Sequence, residues 1–146
     1  MNLNANPEKT HHILIVEDDE MVRKIIGEVL QDIYNLDFAE NGEAALEKAR
    51  SQQPDLVLLD IMMPGMDGFQ VCRTLRDDPD LKHTIIVILT ALSDKDSQKT
   101  GLTAGADDYV TKPFNPLDVR TKVRLLLRLR SQIGRASCRE RVCVGV

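Results

Sequence analysis

The feature of this chain that most constrains its fold is a regular alternation between short apolar runs and longer segments of helical periodicity. Residues 13–16 form the first run, and the apolar residues between 21 and 33 then recur at the spacing of one helix face. Residues 85–89 are continuously apolar, which is typical of a strand covered by helices on both faces. We predict five strands, at 13–16, 36–39, 55–60, 85–89 and 106–111, each followed by a helix.

Residue types that begin and end helices lie between these runs. Asp67 with Gln70 three residues later predicts a capping box, and Gly105 predicts a flexible helix stop. The last helix is predicted to run from Pro116 to about Arg130. Further helix starts are indicated by Asn41, by Ser93 with Asp96, and by Asn115.

Repeated strand–helix alternation specifies a parallel sheet with right-handed crossovers. We therefore predict an α/β fold, a flavodoxin-like (βα)5 three-layer sandwich whose five parallel strands lie in the order 2-1-3-4-5. The run at 36–39 is weaker and is expected at an edge. Sheets of this kind bind ligands outside the carboxyl ends of the strands, where the strand order reverses.

The charge distribution excludes several classes of function. The six Arg and one Glu from residue 124 onward leave 13 basic and 22 acidic residues in 1–123, a net charge of −9. Because an acidic body repels a phosphate backbone, we expect no direct nucleic-acid binding by this domain. Residues 1–11 are polar and expected to be disordered, no apolar run is long enough to span a bilayer, and three cysteines fit no disulfide framework. We expect a cytoplasmic protein without membrane contact.

Polar residues lie where the predicted strands end. Glu17 and Asp18 follow the first strand, Asp60 ends the third, Thr90 follows the fourth and Lys112 follows the fifth. Singly, such residues are most often turn formers, helix caps or solvated side chains. Their joint occurrence at one edge instead predicts a shared site. Two like charges about 5 Å apart repel by roughly 3 kcal/mol at an effective dielectric of about 20, so the site requires a lysine or a divalent cation, and oxygen ligands favour Mg²⁺.

Four motifs resemble those of the receiver domain of bacterial two-component response regulators. They are EDD at 17–19, LLDIMMPGMDG at 58–68, TA at 90–91 and GADDYVTKPF at 105–114. The resemblance spans about residues 12–130, and we assign 12–131 to a receiver domain.

The resemblance implies a role for most of these side chains. Asp60 is implied as the acceptor of a phosphoryl group from a sensor histidine kinase, a phosphotransfer protein or a small phosphodonor. Asp18, Asp60 and the backbone carbonyl of Met62 are implied as direct Mg²⁺ ligands, with Glu17 acting mostly through water. Lys112 is implied to pair with Asp60 and then with a phosphoryl oxygen. Such a domain is a switch and not an enzyme, since it catalyses only its own phosphorylation and dephosphorylation.

The resemblance also implies how phosphorylation is relayed. The Thr90 hydroxyl moves to bond the new phosphoryl oxygen, and the Tyr109 ring turns inward behind it. A bistable loop and helix amplify the added charge, and the output face is the fourth helix, the fifth strand and the fifth helix. Without the motif, Tyr109 also fits a plain core aromatic.

Two positions depart from the polar pattern of some family members. Met62, two residues after Asp60, and Leu92, two residues after Thr90, are apolar and flank the route of water to the phosphoryl group. Neither side chain can orient an attacking water molecule, so we predict a long-lived phosphorylated state.

The pattern breaks after about Arg130, and residues 133–142 have no apolar period. This segment resembles translated read-through of a sequencing-library adapter, so we predict that 132–146 are a non-native or disordered tail. A short native basic tail is the alternative. The run at 125–130 is apolar nearly all round, which a homodimer face or a helical linker to a missing C-terminal effector domain would explain.

Two other functions use a similar sheet. A metal-dependent phosphatase with an aspartyl nucleophile requires a second Asp two residues after Asp60, where this chain has Met62. A flavin- or nucleotide-binding protein requires glycines after the first strand, where this chain has EDDE at 17–20. Both therefore fit the sequence less well than a phosphorylated switch does.

Overall fold

The structure is a computed structural model that describes residues 11–62, 67–91 and 95–144, the last helix by its backbone alone from residue 131. Strands and helices alternate along the whole described chain. The elements are β1 (His12–Val16), α1 (Glu20–Leu30), β2 (Asn35–Ala39), α2 (Gly42–Gln52), β3 (Leu56–Asp60), α3 (Gly68–Asp77), β4 (Ile85–Ala91), α4 (Lys95–Ala104), β5 (Asp108–Lys112) and α5 (Pro116–Val144). The strands form one parallel sheet in the order β2-β1-β3-β4-β5, which confirms the predicted (βα)5 architecture.

Side chains alternate between the two faces of this sheet, and each face has its own helices. On β1, Ile13 and Ile15 pack with α1 and α5, whereas Leu14 and Val16 pack with α2 and α3. β3 is buried along its whole length, as expected for a strand covered on both faces. β2 is only partly buried and lies at an edge, as predicted.

Hydrogen bonds confirm the predicted helix starts at Asn41, Asp67 and Asn115. Each of these side chains accepts a backbone N–H from the first turn that follows it. Asp67 and Gln70 form the full capping box. Gly105 ends α4 with a φ of 115°, a conformation that L side chains rarely adopt.

The elements differ from the prediction mainly at their ends. β5 begins at Asp108 and not at residue 106, because the Ala106 N–H donates to the carbonyl of Gly101 and closes the end of α4. The backbone of α5 continues past Arg130 to Val144, although the apolar pattern ends near 130. Whether residues 132–146 are native stays a prediction. Ser93, the predicted cap of α4, lies outside the described residues.

Arg76 joins α3 to the loops that precede β4 and β5. Its guanidinium donates to the carbonyls of Gly105 at 2.7 Å, Lys82 at 2.8 Å and Thr84 at 2.5 Å, and it pairs with Asp107 at 2.6 Å. The cationic donor therefore satisfies carbonyl groups from two different loops.

We expect Arg76→Ala to lower the free energy of unfolding by about 2–3 kcal/mol, because it removes charge-assisted hydrogen bonds and leaves the carbonyls of Gly105, Lys82 and Thr84 without their described donor. Urea denaturation measures the change. Arg73→Ala, on the exposed side of the same helix, is the control and should change stability by less than about 0.5 kcal/mol. Equal effects of the two substitutions would contradict the bridging role.

Candidate functional site

The polar residues predicted to form a site converge at the carboxyl edge of the sheet. Glu17 directly follows β1, Asp60 is the last residue of β3 and Lys112 is the last residue of β5. On each of these strands the residue two positions earlier packs on the side of α1 and α5. Because side chains alternate along a strand, all three are directed toward this same side.

One lysine contacts two buried carboxylates. Lys112 Nζ lies 3.2 Å from Asp60 Oδ1 and 3.3 Å from Glu17 Oε2. The exposed fractions are 3% for the Asp60 side chain, 2% for Glu17 and 30% for Lys112. The contact with Asp60 was predicted, whereas the equally close contact with Glu17 was not.

The charges of this cluster shift its ionisation equilibria. Burial, followed by the negative charge of Asp60, raises the pKa of Glu17 to about 7 against the opposing effect of Lys112. Burial acts to lower the pKa of Lys112, but the charges of Asp60 and Glu17 outweigh it and the pKa is raised. Lys112 is therefore a cation at neutral pH, while Glu17 carries only part of its charge there.

Glu17, Asp18 and Asp60, hereafter the acidic trio, each place a carboxylate oxygen within 4.8 Å of the other two. Asp18 is exposed and the other two are buried, so the cluster opens to solvent on one side. Three carboxylates outnumber the single ammonium of Lys112. The oxygen-only donor set and its close spacing fit a hard divalent cation such as Mg²⁺.

The backbone that presents Glu17 and Asp18 is held by its neighbours. The Glu17 N–H donates to the carbonyl of Ala39 at 3.0 Å, which extends the pairing of β1 with β2 beyond its last residue. Asp19 caps α1 by accepting from the Met21 N–H at 2.9 Å. Arg23 Nη1 donates to the carbonyl of Glu17 at 2.6 Å, a contact that no motif in the sequence predicts.

Close packing at the end of β3 positions Asp60. The Met62 N–H donates to Asp60 Oδ1 at 3.1 Å, and the Met62 side chain is 74% exposed. A Cβ added at Gly68 would lie 2.6 Å from Ile61 Cα and 2.8 Å from the carbonyl oxygen of Asp60. Glycine is therefore required for α3 to begin this close to the end of β3. The ligand role of the Met62 carbonyl stays a prediction.

Thr90 and Tyr109 lie on β4 and β5, on the side of the sheet that packs with α2, α3 and α4. Thr90 follows Leu89, which pairs with Asp60 in the β3–β4 register. The Thr90 hydroxyl is buried and has no hydrogen-bond partner among the described residues. A buried hydroxyl without a partner costs free energy, and this one is free to bond a new acceptor. Tyr109 is half-buried. Leu92, which with Met62 was predicted to flank the route of water, lies outside the described residues.

Comparison with known proteins identifies the family of this arrangement. Residues 13–124 match the family described as the response regulator receiver domain. The transcriptional regulatory protein ResD of Bacillus subtilis is 43% identical over 121 residues, which cover 82% of this chain and 49% of ResD. The chain thus spans about half the length of this relative.

Solved structures agree with the family match. A putative response regulator from Chloroflexus aurantiacus is 36% identical, with a TM-score of 0.79 over 82% of this chain and 99% of the other. The BeF3-activated DrrB receiver domain is 35% identical, with a TM-score of 0.74 over 82% of this chain and 98% of the other. No helix in the described ranges is both long and apolar enough to cross a membrane. Taken with the fold and the acidic edge, these matches show that the chain belongs to the response regulator receiver domain family, whose members act in phosphorylation-dependent signalling.

Proposed function

We propose that Asp60 accepts a phosphoryl group from a sensor histidine kinase, a phosphotransfer protein or a small phosphodonor, in a Mg²⁺-dependent reaction. The observation that carries this proposal is the geometry of Asp60 itself. Its buried carboxylate contacts Lys112 at 3.2 Å and lies within 4.8 Å of the carboxylates of Glu17 and Asp18. A nucleophile, a fixed cation and further oxygen ligands therefore meet at one solvent-open edge.

The chain's own residues account for most of the chemistry. An Asp60 oxygen attacks phosphorus, a P–O bond forms, and the P–N bond of a phosphohistidine or the P–O bond of an acyl phosphate breaks. Lys112 stays close to the acceptor and donates to an equatorial oxygen as charge develops there. Mg²⁺, held by Asp18, Asp60 and the Met62 carbonyl with Glu17 acting through water, would neutralise charge on the phosphoryl oxygens. Because Asp60 and Glu17 are buried, their charges act in a medium of lower dielectric than water, which strengthens these interactions.

We further propose that Thr90 and Tyr109 relay the change to the face formed by α4, β5 and α5. The Thr90 hydroxyl, which has no partner among the described residues, is free to donate to a new phosphoryl oxygen. Tyr109 borders a cavity of about 430 Å³ between β5 and α5, which Phe114 and Leu125 also line. A movement of this ring would therefore alter the shape of that face.

The same face and the end of α5 are where we propose that partners bind. Leu102 of α4 and Leu125 of α5 are exposed apolar side chains that a homodimer through this face would cover. Because the chain spans about half of ResD, a C-terminal effector domain joined through α5 is the other proposal. The DrrB receiver domain was solved in a BeF3-activated form. BeF3 becomes tetrahedral when it bonds a carboxylate oxygen and then resembles a phosphoryl group, which supports phosphorylation as the trigger here.

Incubation with acetyl phosphate and Mg²⁺, followed by intact-mass analysis and a free-phosphate assay, tests the proposal. We expect a stable gain of one phosphoryl group that requires Mg²⁺. Continuous phosphate release without a stable adduct would indicate a phosphatase instead. No change in mass would contradict the proposal and leave a nucleotide-binding or inactive domain.

Replacing Thr90 with Val is expected to raise the free energy of unfolding of the unphosphorylated protein, by up to about 1 kcal/mol, because a methyl group replaces a buried hydroxyl that has no partner. Thr84 provides a matched control, since its buried hydroxyl donates to the carbonyl of Pro54 at 3.1 Å. Thr84→Val should therefore lower stability by about 1 kcal/mol. Thermal and urea denaturation measure both. A loss of stability in Thr90→Val equal to that in Thr84→Val would show that the Thr90 hydroxyl is already bonded.

The predicted long life of the phosphorylated state can be measured as acyl-phosphate decay in Mg²⁺ buffer. Changing Met62 to Asn and Leu92 to Glu should shorten the half-life, since both new side chains can orient water. For a correctly positioned general base the effect would reach roughly a hundredfold. Met21 is also an exposed methionine but lies on α1, and Met21→Asn should leave the half-life unaltered. An unaltered half-life in the double variant would refute the role of the two apolar residues.

A further inference from the structure

The guanidinium of Arg23 connects α1 to the backbone that carries two members of the acidic trio. Nη1 donates to the carbonyl of Glu17 at 2.6 Å, and Nη2 lies 3.5 Å from Oε1 of Glu40, which follows β2. The Arg23 side chain is only 15% exposed, whereas that of Glu40 is 74% exposed. The contact with Glu17 is therefore the sheltered one, and the contact with Glu40 is a surface ion pair of small energetic weight.

The position of the Asp18 carboxylate depends on this backbone. No hydrogen bond or ion pair from the described residues holds the Asp18 side chain, in contrast to Glu17 and Asp60, which both contact Lys112. The carbonyl of Glu17 belongs to the peptide unit that joins Glu17 to Asp18. Fixing that oxygen fixes the rotation of the peptide plane, and with it the direction in which Asp18 leaves the main chain.

Other contacts hold the ends of this segment but not the peptide plane itself. The Glu17 N–H donates to Ala39 on the β2 side, and the Arg23 N–H donates to the carbonyl of Asp19 in the first turn of α1. Between these two anchors, the described donor to the Glu17 carbonyl is Arg23 Nη1. The Asp19 N–H also donates to Glu17 Oε1, at a longer 3.4 Å, but this bond does not hold the Glu17 carbonyl. Removing Arg23 therefore leaves that carbonyl without its described donor and weakens the restraint on the central peptide unit.

The charge of Arg23 acts in the opposite sense to its hydrogen bond. A positive charge beside a cation site repels a divalent ion, so removal of that charge by itself would strengthen Mg²⁺ binding. Loss of the hydrogen bond would instead weaken binding, because Asp18 would no longer be held in place for the ion. The sign of the change in affinity therefore separates the two effects.

We propose that Arg23 is a positioning residue that sets Asp18 for the divalent cation by holding the Glu17–Asp18 peptide unit. This inference rests on the proposed function, since it concerns the same acidic trio. Hydrogen-bonding partners of metal ligands commonly change metal affinity by ten- to a hundredfold when they are removed. We expect the lower end of that range here, since Arg23 acts on the backbone and not on a carboxylate.

Isothermal titration of the full chain with MgCl2, in the absence of any phosphodonor, tests the proposal. We expect Arg23→Met to raise the dissociation constant for Mg²⁺ about tenfold. Arg23→Gln has a polar side chain that is shorter by two bonds, and it should raise the dissociation constant by a similar factor. It replaces Arg23→Met in the experiment if that variant does not fold. Arg23→Lys retains a donor, so its dissociation constant for Mg²⁺ should stay within about threefold of that of the unmodified chain. The same result is expected for Glu40→Gln, which leaves the bond from Arg23 to Glu17 intact. Thermal denaturation without Mg²⁺ confirms that each variant is folded.

Affinity in Arg23→Met equal to or tighter than that of the unmodified chain would overturn the proposal, because charge alone would then explain the role of Arg23. A loss in Glu40→Gln as large as that in Arg23→Met would also overturn it, by assigning the effect to the ion pair. Absence of Mg²⁺ binding by the unmodified chain would instead contradict the proposed function.

Discussion

Asp60→Asn is expected to abolish the phosphoryl gain from acetyl phosphate, because the amide oxygen is a far weaker nucleophile than the carboxylate. The fold should survive the change. Lys112 keeps its contact with Glu17 at 3.3 Å, and the buried Asp60 charge that raises the pKa of Glu17 is removed. The thermal midpoint of the variant should therefore equal or exceed that of the unmodified chain, and intact-mass analysis reads out the reaction.

Asp67→Asn is the matched control for this loss. Asp67 is an exposed carboxylate that caps α3, and Asn is an equally good cap, so both stability and phosphoryl gain should be unchanged. A full phosphoryl gain in Asp60→Asn would show that another residue accepts the phosphoryl group.

Lys112→Met should slow phosphorylation by acetyl phosphate at least about a hundredfold, which is the usual cost of removing one preorganised donor to a developing charge. The methionine keeps most of the length of the side chain but removes the ammonium that contacts both Asp60 and Glu17. The phosphorylation rate is measured by quenching the reaction at successive times and analysing the samples by mass spectrometry. Saturating Mg²⁺ keeps metal binding from limiting it.

Lys48→Met separates this effect from the general loss of an ion pair. Lys48 Nζ lies 3.0 Å from Asp37 and is 39% exposed, similar to Lys112, but it sits on α2 beside β2 and away from the acidic trio. This variant should lose some stability and keep its phosphorylation rate. A Lys112→Met rate within about threefold of the unmodified rate would contradict the electrostatic role of Lys112.

The architecture of the sheet was predictable because its physical signals are local. Continuous apolar runs such as 85–89 require burial on both faces, and the alternation with helical segments then leaves few arrangements. Capping residues such as Asn41 and Asp67 were also readable, since their hydrogen bonds reach only two or three residues along the chain. Strand ends were less predictable, as Ala106 shows by bonding to the end of α4 in place of a neighbouring strand.

The detailed contacts of the site were only partly predictable. Adjacent acidic residues at 17 and 18 indicate a cluster, but not that Glu17 is buried and Asp18 exposed. That difference depends on which face each side chain takes as β1 ends. The second contact of Lys112 depends on the distance between two strands that are not neighbours in sequence. Arg23 lies six residues from the carbonyl that it binds and carries no motif, so only coordinates reveal it.

Locating the phosphoryl group within the phosphorylated chain tests most directly whether it resides on Asp60. Treatment with borohydride reduces an acyl phosphate to an alcohol, and tandem mass spectrometry of the resulting peptides then identifies the modified residue. We predict a single reduced position, homoserine at 60, that appears only after incubation with phosphodonor and Mg²⁺. Reduction at position 17, 18 or 67 with none at 60, or a phosphoryl group that resists borohydride, would contradict the account.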